Sequence, residues 1–165
     1  AVLDTGLARF ADLCRQQSWR DESATPGTGA AGGLGFVIKT FFDAEFRPGV
    51  EVIAELSALD QALEGAHLVF TGEGRMDRQT LLGKTPAGVA RHARRHGADV
   101  IALAGSLGEG YEALYEIGIT AAFSVVCGPM TLAQACEDAS RLLTDRARDS
   151  MLLWQAALAR TDSTA

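Results

Sequence analysis

The sequence predicts an α/β fold, a parallel β-sheet with helices packed on it. Three observations carry that prediction. From Leu68 onward, short apolar runs alternate with segments of helical period, and strands alternating with helices imply parallel pairing through right-handed crossovers. The eighteen glycines are clustered, in PGTGAAGGLG, TGEGRMD, LLGK and AGSLGEG, and such clusters mark loops where backbone approaches a ligand. Finally, 47% hydrophobic and 22% charged residues is a globular balance, and 165 residues suffice for one ordinary domain or two small ones.

Each element has its own justification. Residues 2–17 read as a helix because Leu3, Leu7, Phe10 and Cys14 recur at helical spacing. The polar stretch SWRDESATP leads into a glycine-rich loop, Gly27 to Gly35. Residues 34–45 read as a second helix, with Leu34, Val37, Ile38, Phe41 and Phe42 on its apolar side. Arg47-Pro48-Gly49 is a turn, VEVIA (50–54) a short strand, and Ser57 caps a helix ending at Gly65. HLVFT (67–71) is a buried strand, followed by a loop. The next helix has Thr85 as N-cap and Pro86 in its first turn, and stops at Gly97. DVIALAG (99–105) is a second strand, YEALYEIG (111–118) a short helix and ITAAFSVV (119–126) a third strand. Thr131 and Gln134 have capping-box spacing before a helical stretch to about Ala159.

Composition excludes several classes. A net charge of −6 argues against nucleic acid or an anionic membrane as partner. No apolar run approaches the roughly 20 residues of a membrane span. The opening AVLDTGLARF carries charge early and lacks the apolar segment of a secretion signal. Cys14, Cys127 and Cys136 are an odd number without CxxC spacing, which fits reduced thiols in a cytoplasmic protein.

In parallel α/β sheets, ligands bind beyond the carboxyl ends of the strands. TGEGRMD and AGSLGEG are expected there, as loops. In the first, Glu73, Asp77 and Lys84 are the parts of a phosphoryl-transfer site: carboxylates hold Mg²⁺ or orient a hydroxyl, and an ammonium neutralises phosphate charge. Lys84 is one of only two lysines in an Arg-rich chain, and the bland alternative is a solvated polar loop. Gly83-Lys84-Thr85 resembles the end of a P-loop, but Arg78 stands where that motif needs glycine. Gly105 and Ser106, after a strand, offer backbone donors to phosphate or adenine, or form an ordinary turn. Gly27, Gly29 and Gly32 match GxGxxG, yet no strand precedes them, so a dinucleotide fingerprint fails. An anion site at the following helix start and a packing turn both remain open. His92 and His96 have metal-ligand spacing, but Arg91, Arg94 and Arg95 surround them; they read as a solvated basic face.

TGEGRMDRQTLLGKTPAGVA resembles the bacterial glycerate kinase family. The resemblance runs back through LDQALEGAHLVFTGEG to PGTGAAGGLG and forward through VIALAGSL, GITAAFSVV and Thr131-Leu132, nearly the whole chain. It implies ATP- and Mg²⁺-dependent phosphorylation of D-glycerate to a phosphoglycerate. It also implies two α/β domains flanking a cleft, the second inserted into a Rossmann-like first. Family chains are more than twice as long, and their N-terminal Asp-Ser-Phe-Lys segment has no counterpart here. By resemblance, residues 1–50 are the end of the inserted domain and 51–165 the returning half of an incomplete Rossmann-like sheet. Glu73, Asp77 and Lys84 become the catalytic candidates, with Asp77 and then Glu73 on Mg²⁺. Gly72, Gly74 and Gly83 would shape the loop beside Gly105 and Ser106. Gly27, Gly29, Gly32 and Gly33 would face the same cleft from the other domain. D-Glycerate and ATP are the implied partners, without nucleic acid or membrane, and a homo-oligomer is allowed. A non-catalytic domain binding a phosphorylated metabolite is the competing reading.

Overall fold

The computed structural model describes residues 2–162. The chain divides into two compact units, Ala1–Arg47 and Pro48–Ala165.

The first unit contains α1 (Val2–Gln16) and α2 (Ala30–Phe42). Ala11 and Cys14 of α1 bury against Phe36 of α2, and Phe10 meets Phe36 edge-on at 5.7 Å between ring centroids. Trp19 packs on Phe41 at 4.0 Å, so it is a packing residue as its sequence context implies. Ala31, Gly32 and Gly33 all adopt left-handed backbone angles, so the right-handed part of α2 starts at Leu34. Two of those three positions are glycine, the residue that takes this conformation without a Cβ penalty.

The second unit holds α3 (Gly49–Leu56), α4 (Leu59–Ala62), β1 (Leu68–Met76), a 3-10 helix (Arg78–Leu82), α5 (Thr85–Arg95), β2 (Asp99–Leu107), a second 3-10 helix (Tyr111–Ile117), β3 (Ala121–Ser124), α6 (Leu132–Glu137) and α7 (Ala139–Asp162). Its sheet has the order β1-β2-β3 and both pairs are parallel, with Leu68 opposite Asp99 and Ile101 opposite Ala121. This is an α/β fold. The core lies where α5 meets the sheet: Ala90 and Ala93 pack with Met76, Val100, Ala102, Ala104 and Leu114. Alanines on α5 let the helix backbone lie close to the strands. Met76, Val100 and Leu114 are fully buried, each worth about 1.5–3 kcal/mol of transfer free energy.

Several expectations are corrected. VEVIA lies in α3, not in a strand. Pro48 opens that helix, its carbonyl accepting from the N–H groups of Glu51 and Val52, and Ala54 is buried. Tertiary packing overrides the β-propensity of Val50, Val52 and Ile53. Ser57 closes α3 rather than opening a helix; its hydroxyl donates back to the Ala54 carbonyl at 3.2 Å. Lys84, not Thr85, is the N-cap of α5. The strands β1 and β2 run on through TGEGRM and AGSL, which are therefore not loops. YEALYEI is a 3-10 helix, and β3 stops at Ser124. The Thr131–Gln134 capping box is present, but Asp138 ends α6 and separates it from α7. No helix among the described residues is long and apolar enough to cross a membrane. All three cysteines are free thiols.

Candidate active site

The candidate site is built from one continuous stretch, the end of β1 through the start of α5. Asp77 is the first residue past β1, in an extended conformation, and caps the 3-10 helix that follows. Gly83 ends that helix with a left-handed φ of 99°, a value that strains any residue with a Cβ. Lys84 then returns to extended backbone and starts α5, with Pro86 in the first turn. A strand, a capped turn and a helix start thus fix three charged residues on short, stiff connections.

Thr80 joins two of them. Its hydroxyl donates to Glu73 Oε1 at 2.5 Å and accepts from the Asp77 backbone N–H at 3.2 Å. It is fully buried. Asp77 Oδ1 accepts from the Gln79 N–H at 2.9 Å, while Arg75 Nε stands 3.4 Å from Oδ2. Lys84 Nζ lies 4.0 Å from Glu73 Oε2. The carboxylates are 19% and 22% exposed and the lysine 42%. At 4.0 Å, with the ammonium end exposed, such a pair contributes little, about 0–1 kcal/mol, so Lys84 is weakly held.

The second glycine motif closes in beside the first. In register, Ser106 pairs with Arg75 and Ala104 with Glu73. Beyond β2, the Gly108 N–H donates to the Met76 carbonyl at 2.7 Å, and the Arg78 N–H donates to the Glu109 carbonyl at 3.2 Å. The Gly108–Gly110 turn therefore brackets Asp77.

Within this unit, Gly72, Glu73, Gly74, Gly105 and Ser106 line a cleft of about 1000 Å³, closed on its other side by Val126, Met130, Leu132 and Leu143. Its lining is mostly apolar. Asp77, Gly83 and Lys84 are not part of that lining. Gly27, Gly29, Gly32 and Gly33 belong to the first unit. There the Phe36 N–H donates to the Thr28 carbonyl at 2.8 Å, and Thr28 is buried, its hydroxyl bonded to the Thr25 carbonyl.

Thr80 and Arg75 escape a reading of charge and glycine spacing. Thr80 carries a usable signal, because Asp77-x-x-Thr80 has the same capping spacing as Thr131 and Gln134. The histidine expectation is corrected too. His92 is buried, with Asp60 Oδ1 2.8 Å from Nδ1 and Glu51 Oε2 3.0 Å from Nε2, so it is no solvated basic residue. Acidic partners on α3 and α4, far off in sequence, outweigh the neighbouring arginines. No group of three or more metal-ligating side chains occurs among the described residues.

Comparison with known proteins gives consistent results. The family model described as the glycerate kinase family matches residues 1–155. A glycerate kinase of Halalkalibacterium halodurans is 46% identical across 89% of this chain and 39% of its own length. The glycerate 2-kinase of Escherichia coli K12 is 38% identical across 81% of this chain and 35% of its own. A crystal structure described as glycerate kinase 2 from Salmonella typhimurium LT2 superposes with a TM-score of 0.72 at 38% identity. It covers 93% of this chain and 39% of the Salmonella chain. The chain thus spans well under half the length of these relatives.

Proposed function

This chain belongs to the glycerate kinase family, and we propose that the protein it represents phosphorylates D-glycerate with ATP, using the Glu73–Thr80–Asp77 cluster and Lys84 as part of its active site. The observation that carries this reading is the buried Thr80 hydroxyl. It holds Glu73 and orders the Asp77 backbone, and Lys84 Nζ stands 4.0 Å from Glu73 Oε2, so two carboxylates stand on one strand-end stretch with a loosely held ammonium beside them.

Phosphoryl transfer is largely positioning and charge stabilisation. A glycerate hydroxyl oxygen forms a bond to the γ-phosphorus of ATP as the bond from that phosphorus to the β–γ bridging oxygen breaks. ADP leaves with that electron pair, and the hydroxyl proton goes to a carboxylate. Asp77 is the better group to orient the hydroxyl, because its Oδ2 faces only Arg75, at 3.4 Å. Both Glu73 oxygens already have neighbours, Thr80 and Lys84, which suits a fixed electrostatic role. Lys84 neutralises a phosphate oxygen or the glycerate carboxylate.

Mg²⁺ fits this donor set. It binds through one or two carboxylates completed by water and substrate phosphates, and does not need a full protein cage. Glu73 and Asp77 would hold it, and the ion would offset the charge of the transferring phosphate. Gly72, Gly74, Gly105 and Ser106 supply backbone along the apolar cleft, and Gly27, Gly29, Gly32 and Gly33 a second glycine segment for an anion. Free thiols support a reducing, cytoplasmic setting.

The deciding experiment compares Lys84→Ala with Lys39→Ala in the full-length enzyme. Lys39 lies inside α2. Loss of a positioned charge at a transferring phosphate lowers turnover by roughly a hundredfold or more, so Lys84→Ala is expected to do so and Lys39→Ala is not. Equal kinetics for the two variants would remove Lys84 from the site.

A further inference from the structure

We propose that His92, as an imidazolium, is a latch that fastens α3 and α4 to α5, and that the α3 half of the latch opens when the ring gives up its proton. This inference is independent of the kinase chemistry above.

The geometry leaves the ring little choice. Its side chain is 7% exposed, and each ring nitrogen faces a carboxylate oxygen: Nδ1 at 2.8 Å from Asp60 Oδ1, Nε2 at 3.0 Å from Glu51 Oε2. An ionised carboxylate only accepts hydrogen bonds, so both nitrogens must donate, and only the doubly protonated ring has two donors. In the neutral ring, one lone pair would point at a carboxylate.

Other charges decide which contact fails first. On α5 itself, Arg95 opposes the ring's charge, and Arg91 Nη2 stands 3.7 Å from Glu51 Oε1. His96 Nε2 shares Asp60 Oδ1 at 3.1 Å. The sheet side of α5 contributes apolar contacts, at Ala90 and Ala93. Asp60 is therefore held by two rings and keeps the Nδ1 proton. Glu51, on α3, is left facing a lone pair with only the longer Arg91 contact. An apolar contact remains beside it, because α3 sits against α5 at Val50 and Gly88. A Cβ on Gly88 would lie 2.2 Å from Val50 Cγ2. Opening is thus a loosening of α3, not its detachment.

The titration has a defined sign. The hydrogen bond that the ring donates to Asp60 raises the His92 pKa above its ordinary 6.5, against burial, and the bond to Glu51 adds to the rise. The His92 bond lowers both Glu51 and Asp60 below their ordinary values of 4.5 and 3.8. The imidazolium's contribution is complete below pH 6.5 and is lost as pH rises through the folded-state pKa. The carboxylates' contribution is lost only as pH falls through their depressed values. The latch is therefore strongest from about pH 4.5 to 6.5 and weakens above. α3 begins at Gly49, just past Arg47 where the first unit ends, so the latch fixes the segment that enters the second unit.

The test uses the ¹⁵N-labelled 165-residue chain. Ring-nitrogen shifts of His92 are followed from about pH 5.5 to 8.5, together with amide exchange in α3 corrected for intrinsic rates. His92 is expected to titrate above 6.5 with both nitrogens protonated at the acid end. Protection at Val52 and Ser57 should fall about two- to tenfold through the same midpoint, the size of one hydrogen bond. Glu51→Gln, at a partly exposed position, should move the midpoint down. His92→Gln should make α3 protection independent of pH. If that variant does not fold, the Glu51→Gln shift carries the same information. A midpoint at or below 6.5, or an α3 protection that stays flat while His92 titrates, would overturn the latch.

Discussion

The Thr80 hydroxyl has two neighbours, the Glu73 carboxylate and the Asp77 amide, and no exposure to water. Thr80→Val keeps the shape and deletes both bonds, leaving a half-buried carboxylate oxygen without its donor. The expected cost is about 1–3 kcal/mol of stability in urea unfolding, the penalty for an unsatisfied polar group. In the full-length enzyme, kcat should fall by roughly tenfold or more, because the carboxylates lose their support. Thr80→Ser restores the hydroxyl and should recover most of both. A valine variant with unchanged kcat would mean that Glu73 needs no fixed orientation. Glu73, Asp77 and Lys84 could be picked out as candidates from the sequence because their charges stand out among glycines. For Thr80 the capping spacing to Asp77 was there to be read, but not its bond to Glu73 seven residues back in β1.

At the scale of elements, glycine is what the sequence pattern misjudges. TGEG and AGS read as loops, because glycine weakens a strand interior and usually marks a break. In the structure they are strand, and at Gly72 the backbone needs the missing side chain: a Cβ there would lie 2.2 Å from the Leu103 carbonyl oxygen. Gly74, two residues on in the same strand, has open space around it. Gly72→Ala is therefore expected to push β1 and β2 apart, costing about 1–3 kcal/mol, whereas Gly74→Ala should change the unfolding midpoint little. Equal midpoints for the two variants would contradict the close approach. The apolar runs LVF and VIALA were legible as strands because each is a short continuous apolar run; in the sheet VIALA is buried, while LVF is partly covered and Phe70 stays exposed. VEVIA carries the same residue types, yet it is a helix, opened by Pro48 and packed against α4 and α5.

The whole molecule sets the limit on what this chain does alone. Its relatives are more than twice as long, and the chain spans 35% to 39% of those compared above. Its three-stranded sheet leaves a cleft of about 1000 Å³ open beside it, and Leu132 at the rim is 80% exposed. A nucleotide in transfer needs donors on several sides of its phosphates. In the function proposed above, the Glu73–Asp77–Lys84 stretch would supply one side, from one segment of chain. The isolated 165-residue chain is therefore expected to consume ATP no faster than background with D-glycerate and Mg²⁺, while the full-length enzyme turns over. Its exposed apolar rim should also make it self-associate as concentration rises, visible in sedimentation velocity. Both measurements belong on one preparation, because a misfolded chain is also inactive; the dispersion of its amide resonances reports whether the second unit has folded. Turnover by the folded, isolated chain near the full-length rate would require a complete site within these residues, with the second set of phosphate donors coming from the glycine segments of this chain.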